Sequence, residues 1–154
     1  MNALSKILLI SATVIGISAC SAPGPGPMLT MSGPVHTPVF EPIALDVVKD
    51  GSEKVYFKEF TVMYDRKEAQ LSGVFFITDN GAYMVKWDSR SYQYNLQYKI
   101  HRDNILSISD DKVIRSFWPD SNLLVIKDKQ GHEVGFSLKG KEAARTFLHE
   151  ISDK

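Results

Sequence analysis

The chain has 154 residues, with 18 Lys and Arg balanced by 18 Asp and Glu, and it carries a single Cys. That length supports one domain with one modest core rather than two domains. The even charge, without a run of one sign, leaves no electrostatic footprint for nucleic acid, and one Cys excludes both an internal disulfide and a Cys-based zinc site.

Residues 1–6 carry one cation, residues 7–18 form an apolar run, and small residues lead to Cys20. The run is too short for the roughly 20 residues of a membrane-spanning helix, which makes it a cleaved export leader. Ile17-Ser18-Ala19-Cys20 resembles the signature of bacterial lipoprotein precursors: an aliphatic residue, two small residues and a cysteine. The resemblance implies that the Cys20 thiol receives a diacylglycerol, that residues 1–19 are removed as a signal peptide, and that the new amine is acylated, commonly with palmitate. Two or three buried acyl chains, at about 0.8 kcal/mol per methylene, hold a protein durably to a bilayer. Ser21 stands where an inner-membrane retention signal would place Asp. The implied location is therefore the bacterial cell envelope, on the outer membrane and facing the periplasm.

Residues 20–43 contain Ala22-Pro23-Gly24-Pro25-Gly26-Pro27 and then Gly33, Pro34, Pro38 and Pro42. Proline lacks an amide donor, glycine raises the entropy cost of ordering, and few apolar residues offset it, so this stretch is expected to be a disordered tether. The alternative is that Val35 to Ile43 docks as an extended segment, since Val39, Phe40 and Ile43 are apolar.

From residue 44 to 154 the pattern becomes that of a mainly β domain. Short runs rich in Val, Ile, Phe and Tyr are separated by Asp, Asn, Gly and Ser clusters. Val55 to Tyr64 and Leu71 to Thr78 read as strands, and Val74-Phe75-Phe76-Ile77 predicts burial on both faces. Asn80-Gly81 is the pair a type I′ hairpin favours, which makes Ala82 to Trp87 the returning strand. Within Tyr92 to Ile100 the alternation puts Tyr94, Leu96, Tyr98 and Ile100 on one face. Ile105 to Ile108 and Val113 to Trp118, with Asp110-Asp111 between them, form two strands or one bent strand. Leu123 to Lys127 and Glu133 to Leu138 complete the set, joined by a turn at Asp128 to His132 that contains Gly131. Lys141 to Ile151 changes period, and Ala143, Ala144, Phe147, Leu148 and Ile151 make one helical stripe with Gly140 ahead of it.

Seven or eight strands followed by one amphipathic helix resemble the pleckstrin-homology-like superfold, particularly its GRAM and bacterial members. The likeness is carried by Gly73 to Asp79 as second strand, by Tyr98 to Ile108 in the place of an isoleucine, polar, aspartate, isoleucine stretch, and by the Gly131 to Ile151 hairpin, strand and helix. It implies a β-barrel of two antiparallel sheets capped by a C-terminal α-helix. Phosphoinositide binding is not implied, because the first hairpin offers only Arg66 and Lys67 beside Asp65 and Glu68.

Catalytic chemistry has no visible constellation. His36, His101, His132 and His149 are scattered without ligand spacing. No strained Gly-x-Ser-x-Gly elbow is present, and His101-Arg102-Asp103 lacks every companion of a kinase loop. Asp110, Asp111, Asp120 and Asp128 read as turn carboxylates. No enzyme, cofactor or metal site is therefore expected. Trp87, Tyr92, Phe117 and Trp118 sit near strand ends, as a candidate partner surface or as rim packing. The resulting expectation is a non-catalytic protein-interaction module anchored to the membrane by lipid and facing an envelope protein. The alternative is a lipoprotein that binds a small ligand, lipid or glycan at the barrel end or in a groove.

Overall fold

A computed structural model describes residues 40–88, 90–91, 93–114, 116 and 120–153. The chain begins there with α1 (Phe40–Val48) and continues through β1 (Val55–Asp65), β2 (Glu68–Thr78), β3 (Gly81–Asp88) and β4 (Gln93–His101). A 3-10 turn at Arg102–Asn104 leads to β5 (Ile105–Val113), β6 (Ser121–Asp128), β7 (Glu133–Phe136) and α2 (Lys141–Ser152). None of these helices is long and apolar enough to cross a membrane.

The seven strands form one antiparallel sheet in the order β4-β3-β2-β1-β7-β6-β5. β4 and β5 are its edges and do not pair with each other, so the sheet is open and the two-sheet barrel expected from the sequence is not resolved. The reason lies in β1. It pairs with β2 from Val55 to Asp65 but with β7 only over Met63–Asp65, so one bridging strand joins the two halves where separate sheets would leave a gap.

The inner face is filled by side chains. Phe75, Ile77, Ala82, Met84, Leu124, Ile126 and Phe136 meet Ala144, Leu148 and Ile151 of α2 in one buried cluster. The Phe75 and Phe136 rings lie 4.4 Å apart between centroids. As the stripe predicted, α2 spends its apolar side here, and Gly140 stands at its N-cap. Gly140 has no capping side chain of its own, so Glu59 on β1 accepts from the amides of Lys139 and Gly140 at 2.6 and 2.9 Å. A carboxylate at a helix N-terminus also suits the helix dipole.

The other face of β2, β3 and β4 is covered by α1, whose first residues, Phe40 to Ile43, the sequence reading placed in the tether or in a docked extended segment, and which are helical instead. Phe40, Ala44 and Val48 follow a helical i, i+4, i+8 spacing and pack on Val74, Phe76, Tyr83, Val85 and Tyr94. Phe40 is fully buried, its ring edge-on to Tyr94 at 5.6 Å and to Phe76 at 6.1 Å. Residues 40–43, ahead of residue 44, therefore pack with the domain among the described residues. Pro42 concealed the helix, yet a proline in the first turn costs no hydrogen bond because the amides there have no intrahelical acceptor. Val74 to Ile77 is buried on both faces, as expected, between α1 and the inner core.

Three local expectations are corrected. Neither Asn80 nor Gly81 has a positive φ, so the β2–β3 turn is not type I′. The turn with both central residues in the left-handed region is Arg66-Lys67, at φ 47° and 69°, between β1 and β2. Gly81 is needed for another reason, because a Cβ there would collide with the Ile100 carbonyl oxygen on β4. Secondly, Tyr94, Leu96, Tyr98 and Ile100 do not share a face. Met84 pairs with Tyr98 and Val85 with Leu96, which leaves Gln97 as a bulge and transfers Tyr94 and Leu96 to the α1 side. Thirdly, Asp110 and Asp111 lie within the continuous strand β5, not in a turn. Asp110 reaches Lys141 at 3.0 Å and Arg145 at 2.5 Å on α2, and Asp111 reaches Lys67 at 3.0 Å, so ion pairs hold both in the ladder.

Candidate functional site

Of the lipid-attachment and partner-surface residues singled out in the sequence, Trp87 is the one among the described residues. Cys20, Tyr92, Phe117 and Trp118 lie outside the described residues. Trp87 ends β3, half-buried, with its ring 5.1 Å from that of Tyr94 on β4. Their registry as direct partners puts both on the α1 side of the β4 edge. Burial pushes the Tyr94 hydroxyl up to a pKa of about 12, so it stays neutral at physiological pH. The Trp87–Tyr94 pair is in part rim packing, as the sequence reading allowed.

The β4 edge extends that rim. Leu96 is 39% exposed on the same side, and Ile43 of α1 is 37% exposed. Lys99 stands on the α1 side opposite Tyr83, and Lys86 stands on the inner side opposite Asn95. Neither lysine forms an ion pair among the described residues. Exposed Leu96 and two cations without an ion pair among the described residues therefore lie at one boundary of the sheet. Sequence reasoning missed Leu96, Lys99 and Ile43, since the bulge at Gln97 and the helix at Phe40 decide which side they take.

A polar latch fixes the end of α1 beside this edge. Thr78 donates to Asp50 at 2.7 Å, and the Ser52 amide donates to the other Asp50 oxygen at 2.9 Å. Asn80 donates to the Asp50 carbonyl at 2.9 Å and to the Ser52 hydroxyl at 3.1 Å. Burial alone would raise the Asp50 carboxyl, but the hydrogen bonds from Ser52 and Thr78 outweigh it and hold the group below its ordinary range. The buried Tyr83 hydroxyl lies beside this carboxylate without closing a hydrogen bond of good geometry. Burial first, and Asp50 second, raise its pKa well above that of a free tyrosine.

The opposite edge is built differently. Every charge on β5 is internally paired: Asp110 with α2, Asp111 with Lys67, and Lys112 with Asp120 at 2.7 Å. Leu106, 56% exposed, forms a bulge between Ile105 and Ser107. On the outer face near the first hairpin, Tyr64, Leu123, Val125 and Gly135 floor a groove of about 340 Å³ rimmed by Arg66, Lys67, Asp111 and Glu133. Leu123 fills the space over Gly135, where a Cβ would come within 2.8 Å of it.

His101-Arg102-Asp103 forms the 3-10 turn itself. The His101 side chain accepts from the Asp103 amide at 3.4 Å as a local cap, and its Nδ1 lies 3.2 Å from the Asp103 carboxylate. No group of three His, Cys, Asp or Glu able to hold a metal occurs among the described residues. The surfaces this arrangement offers are suited to binding a chain or a small group along a strand.

No protein-family model and no curated protein matches the chain. Among solved structures it is similar to the C-terminal domain of an unknown protein from Leishmania infantum, at 15% identity, over 75% of this chain and 96% of that one, with a TM-score of 0.49. It is similar to Vav1 inhibited by an allosteric inhibitor at 10% identity, over 75% of this chain and 34% of Vav1, with a TM-score of 0.48. It is also similar to the Slm1-PH domain in complex with D-myo-inositol 4-phosphate at 15% identity, over 63% of this chain and 94% of that domain, with a TM-score of 0.43.

Proposed function

We propose that the chain is a bacterial envelope lipoprotein whose domain is a non-catalytic protein-interaction module of pleckstrin-homology-like type. Cys20 carries the lipid, residues 1–19 are the removed leader, and the outer membrane facing the periplasm is the site of action. The strand order with a helix after the last strand supports the pleckstrin-homology-like reading, including a division of the curved sheet into two halves about β1.

One observation supports interaction above all: the sheet ends in two unpaired edges while its inner face is packed with side chains. The interior is filled by Phe75, Met84, Leu124 and Phe136, whereas an edge strand offers a ladder of backbone donors and acceptors to another chain. Crosslinking in envelope membranes followed by affinity capture tests this reading. A specific envelope protein is expected to be recovered, and its recovery is expected to fall when an edge is blocked. Recovery of none from a palmitate-labelled, membrane-bound protein would remove it. Absence of palmitate at Cys20 would remove the anchor separately.

The groove beside Tyr64, with its apolar floor and mixed-charge rim, favours a second reading as a binder of a small ligand, lipid or glycan. Loss of ligand binding on substituting Arg66, with partner capture unaffected, would favour that reading.

A further inference from the structure

We infer that β4 is the docking edge, and that its occupant is an extended acidic segment of another protein added as an eighth strand. The inference rests on the interaction-module reading and deepens it.

The two edges differ in what they leave unsatisfied. On β5 the charges Asp110, Asp111 and Lys112 are consumed by Lys141, Arg145, Lys67 and Asp120. With these charges answered inside the domain, β5 leaves none for an incoming strand. β4 carries a run of five uncharged residues, Tyr94 to Tyr98, and no carboxylate anywhere from Gln93 to His101. Its cation Lys99 and the adjacent Lys86 are unpaired, on opposite sides of the strand. An added strand alternates its side chains between the same two sides, so acids on both would meet both lysines. On the α1 side, exposed Leu96 offers apolar contact beside Lys99.

Charge separates the possible occupants. A second copy paired through β4 would bring further cations and no acid, so it leaves Lys86 and Lys99 unanswered. Residues 21–39 of the same chain contain neither Asp nor Glu and cannot answer Lys86 or Lys99. An acidic strand of a different protein satisfies the cations and the exposed Leu96 together, entering at the cleft of about 270 Å³ where residues 97–100 face Asp128, His132 and Val134.

A random dodecapeptide library panned on the full chain tests this. The retained peptides are expected to be rich in Asp and Glu with alternating apolar residues, and to slow amide exchange across Gln93–His101. Joint charge reversal by K86E and K99E should weaken binding about tenfold, while K112E on β5 should leave it unchanged. Leu96→Lys, which leaves both cations in place, should weaken it independently. Retained peptides without an acidic excess, or binding indifferent to K86E and K99E, overturn the inference. So does a concentration-dependent dimer abolished by Leu96→Lys, which gives the edge to a second copy. Protection of Ile105–Val113 instead of β4 sinks the assignment to β4 and leaves the interaction module standing. Failure to retain any peptide overturns the inference, and combined with failure to capture an envelope partner it removes the module as well.

Discussion

Thr78 donates its hydroxyl hydrogen to the Asp50 carboxylate over 2.7 Å, fastening the end of β2 to the turn that leaves α1. Thr78 is fully buried, so Thr78→Val leaves the Asp50 oxygen short of a donor at a cost of about 1–3 kcal/mol. Amide exchange should then accelerate in Phe40–Val48 before it does in the central strands.

The same carboxylate makes α1 docking dependent on acid. Its folded pKa lies below the ordinary carboxylate value, with hydrogen bonds from Ser52 and Thr78 overcoming burial. A lowered folded pKa contributes stability that is complete above the unfolded value and is lost as pH falls through the folded one. Urea midpoints of the native chain and Asp50→Asn should therefore differ at neutral pH and converge below about pH 4.

Phe40→Ala removes a ring enclosed by Phe76 and Tyr94. A fully buried Phe truncated to Ala costs about 3–5 kcal/mol, and a residue in a tether would cost nothing. Chemical denaturation of the two proteins separates these outcomes, and limited proteolysis near α1 should become faster in the variant.

Arg66 and Lys67 hold a left-handed turn with side chains that tolerate it poorly. Replacing the pair by Asn-Gly should raise stability by about 1 kcal/mol, since those residues adopt positive φ with less strain. The exposed Lys67–Asp111 bridge is lost in the exchange, which subtracts less than about 1 kcal/mol. A thermal melt showing a lower midpoint would contradict this.

Gly81→Ala should destabilise by about 1–3 kcal/mol through the clash with the Ile100 carbonyl, even though no positive φ is involved. Gly131→Ala tests the other cause, because open space surrounds Gly131 but its φ is +87°. Its cost should come to about 1 kcal/mol of backbone strain.

Much of the β-core was legible because strand periodicity is local. Val74 to Ile77 announced burial on both faces, Gly131 marked a turn, and Ala144, Leu148 and Ile151 announced the stripe of α2. The site was far less legible. Trp87 was visible as an aromatic near a strand end, but its companions on the edge depend on one unpaired residue, Gln97, whose insertion shifts Tyr94 and Leu96 across the sheet. A single unmatched residue leaves almost no mark on a hydrophobic pattern, yet it inverts every side chain beyond it.

The amino-acid sequence by itself determined the anchor-like motif at Cys20, the mainly β character of the domain and the amphipathic closing helix, because each follows from residue types at short separations. Tertiary structure alone decided that Phe40 is buried in the core, that Asp110 and Asp111 serve ion pairs and not turns, and that Lys86 and Lys99 form no ion pair among the described residues. Those outcomes turn on which distant side chains arrive at the same place, and no local pattern encodes that.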